Sequence, residues 1–295
     1  MDFLNDGIFW VVLCALAMGL GVLLARRQAR AFDGQSDSQT SGTLPGIGDL
    51  PKVNYFDYGD MRFLHLGSPA VQGSMRISQP FEIHLDYVQR MMAWLLFTDL
   101  DRFHQLHAMQ LGLGAASLTK FCHFQLGMQT TAVELNPRVI AACRLWFHLP
   151  QDNPKLQVIE GDAALAASDA QWHRKIDALQ VDLYDPEAAR PAVDSETFYR
   201  DCRELMTDDG CMAVNLFGRD LSYPDSLKKI INAFGADAVW AFKPTPAGNT
   251  IVLALRTPRR LSHDALSSQA KIIEARWSLP ATTWLKEMAI THTLN

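Results

Sequence analysis

The sequence predicts an α/β fold, in which a mostly parallel sheet ends in one antiparallel strand and follows a small antiparallel β unit. Three observations support this prediction. From about residue 109, short apolar runs of strand type alternate with segments of helical periodicity, the pattern of a parallel sheet covered by helices. The last apolar run, 250–255, follows the preceding run too closely for a crossover helix, so it must pair antiparallel. Two alternating runs that flank residue 60 predict the β unit.

The chain begins with an apolar segment, 7–25, that contains no charged residue. As a helix it would be about 28 Å long, close to the hydrocarbon thickness of a bilayer. Arg26, Arg27 and Arg30 follow it, so the rest of the chain should lie in the cytoplasm. Residues 1–32 are therefore predicted to form a single-pass anchor in the inner (cytoplasmic) membrane. The alternative is a soluble cytoplasmic protein in which this segment is a buried first helix.

The next two segments differ in composition. Residues 33–51 are rich in Gly, Ser, Thr and Asp, which predicts a flexible linker. Residues 52–84 contain the runs VNYFDY and MRFLHLG on either side of Gly59-Asp60, a turn signal between two strands. This segment is therefore predicted to form the small β unit.

The main domain is predicted to span 85–258, and a helical extension 259–295 follows it. Apolar residues at helical spacing within 81–106 predict a helix that leads into the domain. Ser262 is a suitable N-cap for a helix that ends near Arg276. The predicted strands are 109–111, 130–134, 156–160, 177–182, 211–215, 238–242 and 250–255, and the predicted helices between them are 116–126, 137–147, 196–206 and 225–234.

The composition excludes some classes of partner and site. The formal net charge of −5 gives no electrostatic reason to expect nucleic-acid binding and favours small cationic ligands. The five cysteines include no CxxC pair, and His104 and His107 lie near no carboxylate at ligand spacing. We therefore predict neither a disulfide framework nor a metal site.

Glycine and acidic residues follow three successive predicted strands, at the sheet edge where α/β proteins bind ligands. Gly112 and Gly114 follow the first strand, where backbone amides can approach a ligand or simply form a tight turn. Glu134 ends the second strand and can accept both hydroxyls of a ribose or remain a solvated carboxylate. Asp162 ends the third strand and can accept from an adenine amino group or cap a helix. Because adenosine lying across a sheet needs contacts from adjacent loops, this order predicts an adenosine site.

The fourth strand leads into VDLYDP, which contains Asp182 and Asp185. Together with LGLGAAS, AVELNPRVIAACR, EGDA and FYRDCRELM, this DxxDP segment resembles the polyamine aminopropyltransferases, the spermidine synthase-like family, over roughly residues 53–255. The resemblance implies a Rossmann-like domain of the type found in S-adenosylmethionine-dependent transferases. It also implies decarboxylated S-adenosylmethionine as co-substrate, a small-molecule amine as substrate and a homodimer.

The resemblance also implies residue roles. Asp182 would be the general base for the attacking amine, Asp185 would help to hold the cationic substrate, Glu134 would bind the ribose and Asp162 would lie near the adenine. Tyr87 resembles the tyrosine that lines the amine site. The chemistry agrees, because an amine is protonated at neutral pH and only its neutral form can attack a carbon next to a sulfonium.

Two residues depart from the family pattern. Ala115 replaces an aspartate that helps to hold the aminopropyl group, and Gln89 replaces an acidic residue of the amine site. Losing the first carboxylate removes a discriminator against ordinary S-adenosylmethionine. The sequence therefore leaves three functions open: an aminopropyltransferase, an S-adenosylmethionine-dependent methyltransferase on the same fold, or a non-catalytic membrane-tethered nucleoside-binding protein. The retained Asp182 argues against the third.

Overall fold

The computed structural model describes residues 41–184, 193–217 and 220–291. This part of the chain forms two sheets and a set of surrounding helices. The first sheet is antiparallel, in the order β1-β2-β3-β4. Its strands are β1 (Ser41–Leu44), β2 (Val53–Tyr58), β3 (Met61–Leu66) and β4 (Val71–Arg76).

The second sheet forms the centre of the main domain. Its strands are β5 (His107–Leu111), β6 (Gln129–Glu134), β7 (Leu156–Glu160), β8 (Ile176–Val181), β9 (Met206–Phe217), β10 (Val239–Phe242), β11 (Asn249–Leu255) and β12 (Met288–Ile290). They lie in the order β12-β10-β11-β9-β8-β5-β6-β7. The helices are α1 (Asp86–Met91), α2 (Ser117–Lys120), α3 (Pro137–Trp146), α4 (Ala163–Ser168), α5 (Glu196–Leu205), α6 (Tyr223–Phe234), α7 (His263–Trp277) and α8 (Ala281–Glu287).

The strand directions confirm the predicted fold class. Strands β7, β6, β5, β8 and β9 pair in parallel, and β11 pairs antiparallel with both β9 and β10. The first strands end side by side because each one returns through a helix to the same edge of the sheet. The carboxyl ends of β5, β6, β7 and β8 therefore lie along one edge of the sheet, where Gly112, Glu134, Asp162 and Asp182 follow or end these strands.

The C-terminal extension is not only helical, which corrects the prediction for 259–295. It contains α7, which Ser262 caps as predicted, and α8, but it ends in β12, which pairs antiparallel with β10. Three residues are too few to give a strand signal in the sequence. The added strand occupies the hydrogen-bonding edge of β10, which would otherwise be open.

The predicted linker 33–51 also contains a strand, β1, which pairs with β2. An edge strand needs few apolar side chains, so its sequence did not stand out. Gly42 lies directly on Tyr55, because a Cβ atom there would be 2.6 Å from the ring atom Cε1. Residues 41–44 of the predicted linker are therefore part of the small sheet, and 33–40 lie outside the described residues.

The helix predicted within 81–106 is shorter than expected. Only α1 is α-helical, and a 3₁₀-helix, Met92–Phe97, continues the chain with all six side chains buried. Because this run is apolar on every side, the sequence contains no amphipathic period that would fix its helix type. The helix predicted at 116–126 divides in a similar way into α2 and a π-helical turn, Phe121–Gln125.

The predicted membrane anchor, 1–32, lies outside the described residues and stays a prediction. Within 41–184, 193–217 and 220–291, no helix has both the length and the apolar character needed to cross a bilayer.

The small sheet packs on the glycine-containing loop that follows β5. Val53, Leu64 and Met75 of the small sheet share an apolar cluster with Leu113 and Ala116 of the loop. The hydroxyl of Ser117 donates to the carbonyl oxygen of Ser74 at 3.1 Å. The small sheet thus packs against the loop that follows β5 and holds it in place.

Candidate active site

Gly112 and Gly114 lie in conformations that other residues adopt only with strain. Their φ angles are +87° and +50°. A Cβ atom on Gly112 would lie 2.3 Å from the carbonyl oxygen of Asp182, and one on Gly114 would lie 3.0 Å from that of Gln72. The loop therefore needs glycine at 112 to pass between β5 and the residues that follow β8.

Glu134 holds this loop from the neighbouring strand. Its Oε2 accepts the amide of Leu113 at 3.0 Å, and its Oε1 accepts the amide of Asn136 at 2.8 Å. Burial raises the pKa of Glu134 above its ordinary value, while these backbone amides oppose the increase. Each carboxylate oxygen can accept more than one hydrogen bond, so the group can still accept from ribose hydroxyls.

Asp162 is the N-cap of α4. Its Oδ1 accepts the amides of Ala164 and Leu165 at 2.7 and 3.0 Å. This is the helix-capping alternative that the sequence left open. A contact with adenine stays a prediction.

Asp182 directly follows β8 and lies half-buried at the carboxyl edge of the sheet. Its Oδ1 accepts from Nδ2 of Asn215 at 2.9 Å, and its carboxylate also accepts from the hydroxyl of Tyr87. Burial raises the pKa of Asp182, although both donors favour its charged form. Burial and the charge of Asp182 together raise the pKa of Tyr87 well above its ordinary value. The arrangement gives an oriented carboxylate with increased proton affinity, as a general base requires.

The side-chain amides of two asparagines form a hydrogen-bonded chain that leads to Asp182, and the sequence did not predict either of them. Asn215 lies near the end of β9, and its Oδ1 accepts from Nδ2 of Asn249, the first residue of β11, at 3.1 Å. The hydroxyl of Tyr184 donates to the carbonyl oxygen of Asn215 at 3.1 Å. A polar residue within the apolar strand run AVNLF is the signal that could have identified Asn215.

Comparisons with known proteins identify the family. No family model matches the chain. A polyamine aminopropyltransferase from Neisseria meningitidis serogroup A is 33% identical over 237 residues, which cover 80% of this chain and 88% of that protein. The corresponding enzyme from Chromobacterium violaceum is 30% identical over 84% of this chain and 93% of its own length. The chain belongs to the polyamine aminopropyltransferase family. It is thus an enzyme of the aminopropyltransferase type.

Solved structures share the fold of this family member. A protein described as a probable spermidine synthase from Corynebacterium glutamicum has a TM-score of 0.60 at 16% identity, over 78% of this chain and 87% of its own. Human methyltransferase-like protein 13, in complex with SAH, has a TM-score of 0.59 at 21% identity, over 66% of this chain and 93% of its own. At these identities the two structures show the fold alone.

One predicted substrate residue of this family member, Gln89, is not part of the cluster around Asp182. Gln89 donates from Nε2 to the carbonyl oxygen of Ile83 at 3.0 Å. It lines a surface cavity of about 260 Å³ together with Arg76 and His84. Asp185 lies outside the described residues, so its predicted role stays a prediction. Tyr87, in contrast, contacts Asp182 through its hydroxyl, and its role in binding the amine stays a prediction.

Ala115 is buried in the contact between the loop and the small sheet. Its side chain is 3% exposed. A Cβ atom on Gly73 of β4 would lie 2.6 Å from the amide nitrogen and 2.8 Å from the Cβ of Ala115. The position where the resemblance implies an aspartate therefore holds a small side chain packed against the backbone of β4.

Proposed function

We propose that the protein transfers an aminopropyl group from decarboxylated S-adenosylmethionine to a small amine, with Asp182 as the general base. One observation carries this proposal. The carboxylate of Asp182 accepts hydrogen bonds from Tyr87 and Asn215, and its own backbone lies against Gly112 in the adjacent loop. An oriented base beside a loop suited to adenosine is what this reaction requires.

The reaction needs a neutral amine beside an activated carbon. A primary amine with a pKa near about 10.4 is protonated at neutral pH and cannot attack in that state. Asp182 would accept the proton, and the nitrogen lone pair would then form a bond with the methylene carbon next to the sulfonium. The carbon–sulfur bond breaks, and its electron pair stays on sulfur as a neutral thioether. The products are an aminopropylated amine and methylthioadenosine.

The described residues fit such a co-substrate. The Gly112 loop brings backbone close to Asp182, and Glu134 has acceptor capacity left after its hydrogen bonds to backbone amides at 3.0 and 2.8 Å. Tyr87 and Asn215 hold the carboxylate of Asp182 in one orientation. Asp185 would add a second negative charge for a cationic amine.

Methyl transfer from ordinary S-adenosylmethionine is a second candidate, and one observation favours it. Ala115 packs against Gly73, so this position contributes no carboxylate that would repel the carboxylate of the undecarboxylated compound. Human methyltransferase-like protein 13, with the same fold, was solved with SAH. The two candidates predict different adenosine products, methylthioadenosine for aminopropyl transfer and S-adenosylhomocysteine for methyl transfer.

The test uses the full-length chain with each sulfonium compound and a panel of primary amines, and mass spectrometry identifies the nucleoside product. We expect methylthioadenosine, formed only with the decarboxylated compound. We expect Asp182→Asn to lower turnover by about 10²-fold or more. The affinity of this variant for methylthioadenosine should change by less than about twofold.

Asp101→Asn is the matched control, because Asp101 is an exposed aspartate whose side chain pairs with Arg276 in the last turn of α7. It should leave turnover unchanged. Turnover by Asp182→Asn at the rate of the unsubstituted protein would disprove the assigned base. Formation of S-adenosylhomocysteine instead would select the methyltransferase.

A further inference from the structure

Asn249 is a buried polar residue at the start of β11, with 8% of its surface exposed. Its carbonyl oxygen accepts the amide of Thr245 at 2.7 Å across the turn that joins β10 to β11. Its side-chain Nδ2 donates to Oδ1 of Asn215 at 3.1 Å. The backbone of Asn249 is thus fixed by the turn, and its side chain donates to Asn215, the hydrogen-bond partner of Asp182.

The direction of these hydrogen bonds follows from the chemistry of the groups. An ionised carboxylate can only accept, so Asn215 must present its nitrogen to Asp182. The oxygen of Asn215 then faces the opposite way and must receive a donor, which Asn249 supplies. The two ends of an amide are nearly equal in size, so packing alone does not choose between them. The choice depends on the hydrogen-bond partners.

We propose that Asn249 is a positioning residue, which fixes the amide of Asn215 so that its nitrogen faces the carboxylate of Asp182. Without this donor, Asn215 can turn its oxygen toward Asp182, and two acceptors would then face each other. The meaning of this role for catalysis rests on the proposed function, because it assumes that Asp182 is the base. The effect on the carboxylate itself does not depend on that assumption.

Few other titratable groups face Asp182 among the residues that the structure describes. Tyr87 approaches from α1, and Tyr184 of the loop after β8 interacts with Tyr87. A phenol is neutral throughout the acidic range. A titration observed there at the Asp182 carboxyl therefore reports on that carboxyl and on its donors.

The direct test is a ¹³C NMR titration of the Asp182 carboxyl in the full-length protein, with the signal assigned by its loss in Asp182→Asn. Asn249→Leu removes the donor without adding charge, and Asn249→Asp keeps the shape but can only accept. We expect both substitutions to move the titration midpoint upward, by about one pH unit for Asn249→Leu, because a bond to the charged form is lost.

Thr250→Val is the matched control, because Thr250 is the next residue, is also buried and has a hydroxyl with no hydrogen-bond partner. It should leave the midpoint unchanged. An unchanged midpoint in Asn249→Leu would overturn the proposal. So would a shift in Asn249→Asp alone, since repulsion between two carboxylates would explain it.

Kinetics separate this proposal from the proposed function. If Asp182 is the base, the acid limb of the kcat/KM profile should move with the NMR midpoint in Asn249→Leu, while the plateau at high pH is largely kept. A moved NMR midpoint without transferase activity would support the role of Asn249 and refute the proposed function. A normal NMR midpoint in an active Asn249→Leu variant would refute the role of Asn249 and leave the proposed function supported.

Discussion

Nη2 of Arg90 lies 2.9 Å from Oε2 of Glu287. This ion pair joins α1, which carries Tyr87, to the end of α8 in the C-terminal extension. The guanidinium also pairs with Asp86 at 3.0 Å and donates to the carbonyl oxygen of Lys243 at 3.0 Å. The side chain of Arg90 is only 8% exposed. The extension therefore helps to fix the helix that places a hydroxyl on Asp182.

Arg90→Met should destabilise the fold and disturb the site together. The carbonyl of Lys243 loses its donor and two partly exposed carboxylates lose their partner, so we expect a loss of about 2 kcal/mol in the free energy of unfolding. Tyr87 should also be less well placed, which would raise KM for the amine. Urea unfolding and steady-state kinetics measure the two effects.

Arg200→Met is the control for this experiment. Arg200 pairs with Glu196 on the exposed face of α5, with 63% of its side chain accessible. The same substitution should change the free energy of unfolding there by less than about 0.5 kcal/mol. Equal losses at positions 90 and 200 would contradict the role given to Arg90.

Gly112→Ala should be far more harmful than a positive φ angle alone explains. The new Cβ would lie 2.3 Å from the backbone oxygen of Asp182, so β5 and β8 would have to separate. Gly235 has a φ of +89°, but a Cβ atom there would have nothing within 4 Å. Gly235→Ala therefore measures the cost of the positive φ angle alone. We expect a loss of about 1 kcal/mol at 235 and about 3 kcal/mol or more at 112. Chemical unfolding of both variants checks this, and losses of the same size would show that the close approach is unimportant.

Lys120 should make stability depend on alkaline pH. Its ammonium is buried and donates to the carbonyl oxygen of Phe147 at 2.7 Å. Burial lowers the pKa of Lys120 from 10.5 to about 8. Between these values the unfolded chain binds the proton and the folded chain does not, so the free energy of unfolding rises with pH. Below pH 8 the folded state has the full penalty of a buried charge.

Lys120→Met removes that penalty, so the variant should equal or exceed the unsubstituted protein in stability at neutral pH. Its advantage should shrink between pH 8 and 10.5, by on the order of 3 kcal/mol. Lys155→Met is the control, because Lys155 is exposed and donates to the carbonyl of Gly127. Parallel stability curves for the Lys120 variant and the unsubstituted protein would contradict the prediction.

Asp182→Asn should show that the candidate base reduces stability. Burial raises the pKa of Asp182 in the folded state. As the pH rises from the ordinary value toward the raised one, the folded state binds more protons than the unfolded state, so the free energy of unfolding falls. An asparagine does not titrate, so the variant should gain stability relative to the parent over this window and keep the gain at neutral pH. Urea unfolding at several pH values tests this, and a pH-independent difference would refute it.

Much of this fold could be predicted because its signals are local. The alternation of strands and helices and the short turn before β11 gave the sheet and its reversed strand, as the structure confirms. Elements defined by their partners were harder to predict. β12 is a strand because β10 offers an edge, and β1 is a strand because β2 does. Neither segment contains a pattern that distinguishes it from loop.

The residues of the candidate site also fall into a group that could be predicted from local signals and a group that could not. Gly112, Glu134 and Asp182 could be predicted because each lies at a strand end, where topology alone brings them together. Asn215 and Asn249 could not, because their roles depend on the pairing of β9 with β11 and on which way an amide faces. Gln89 could be aligned with a motif, but the motif does not determine where its side chain points.

The contact between Gly73 and Ala115 couples the side chains that two distant positions of the chain can carry. While β4 packs this closely on the loop, any side chain at 73 would meet the backbone of Ala115, and a larger side chain at 115 would meet β4. A substitution at one position therefore changes which substitutions are tolerated at the other. The small sheet, which provides none of the proposed catalytic groups, thus restricts which side chains the loop can carry at position 115.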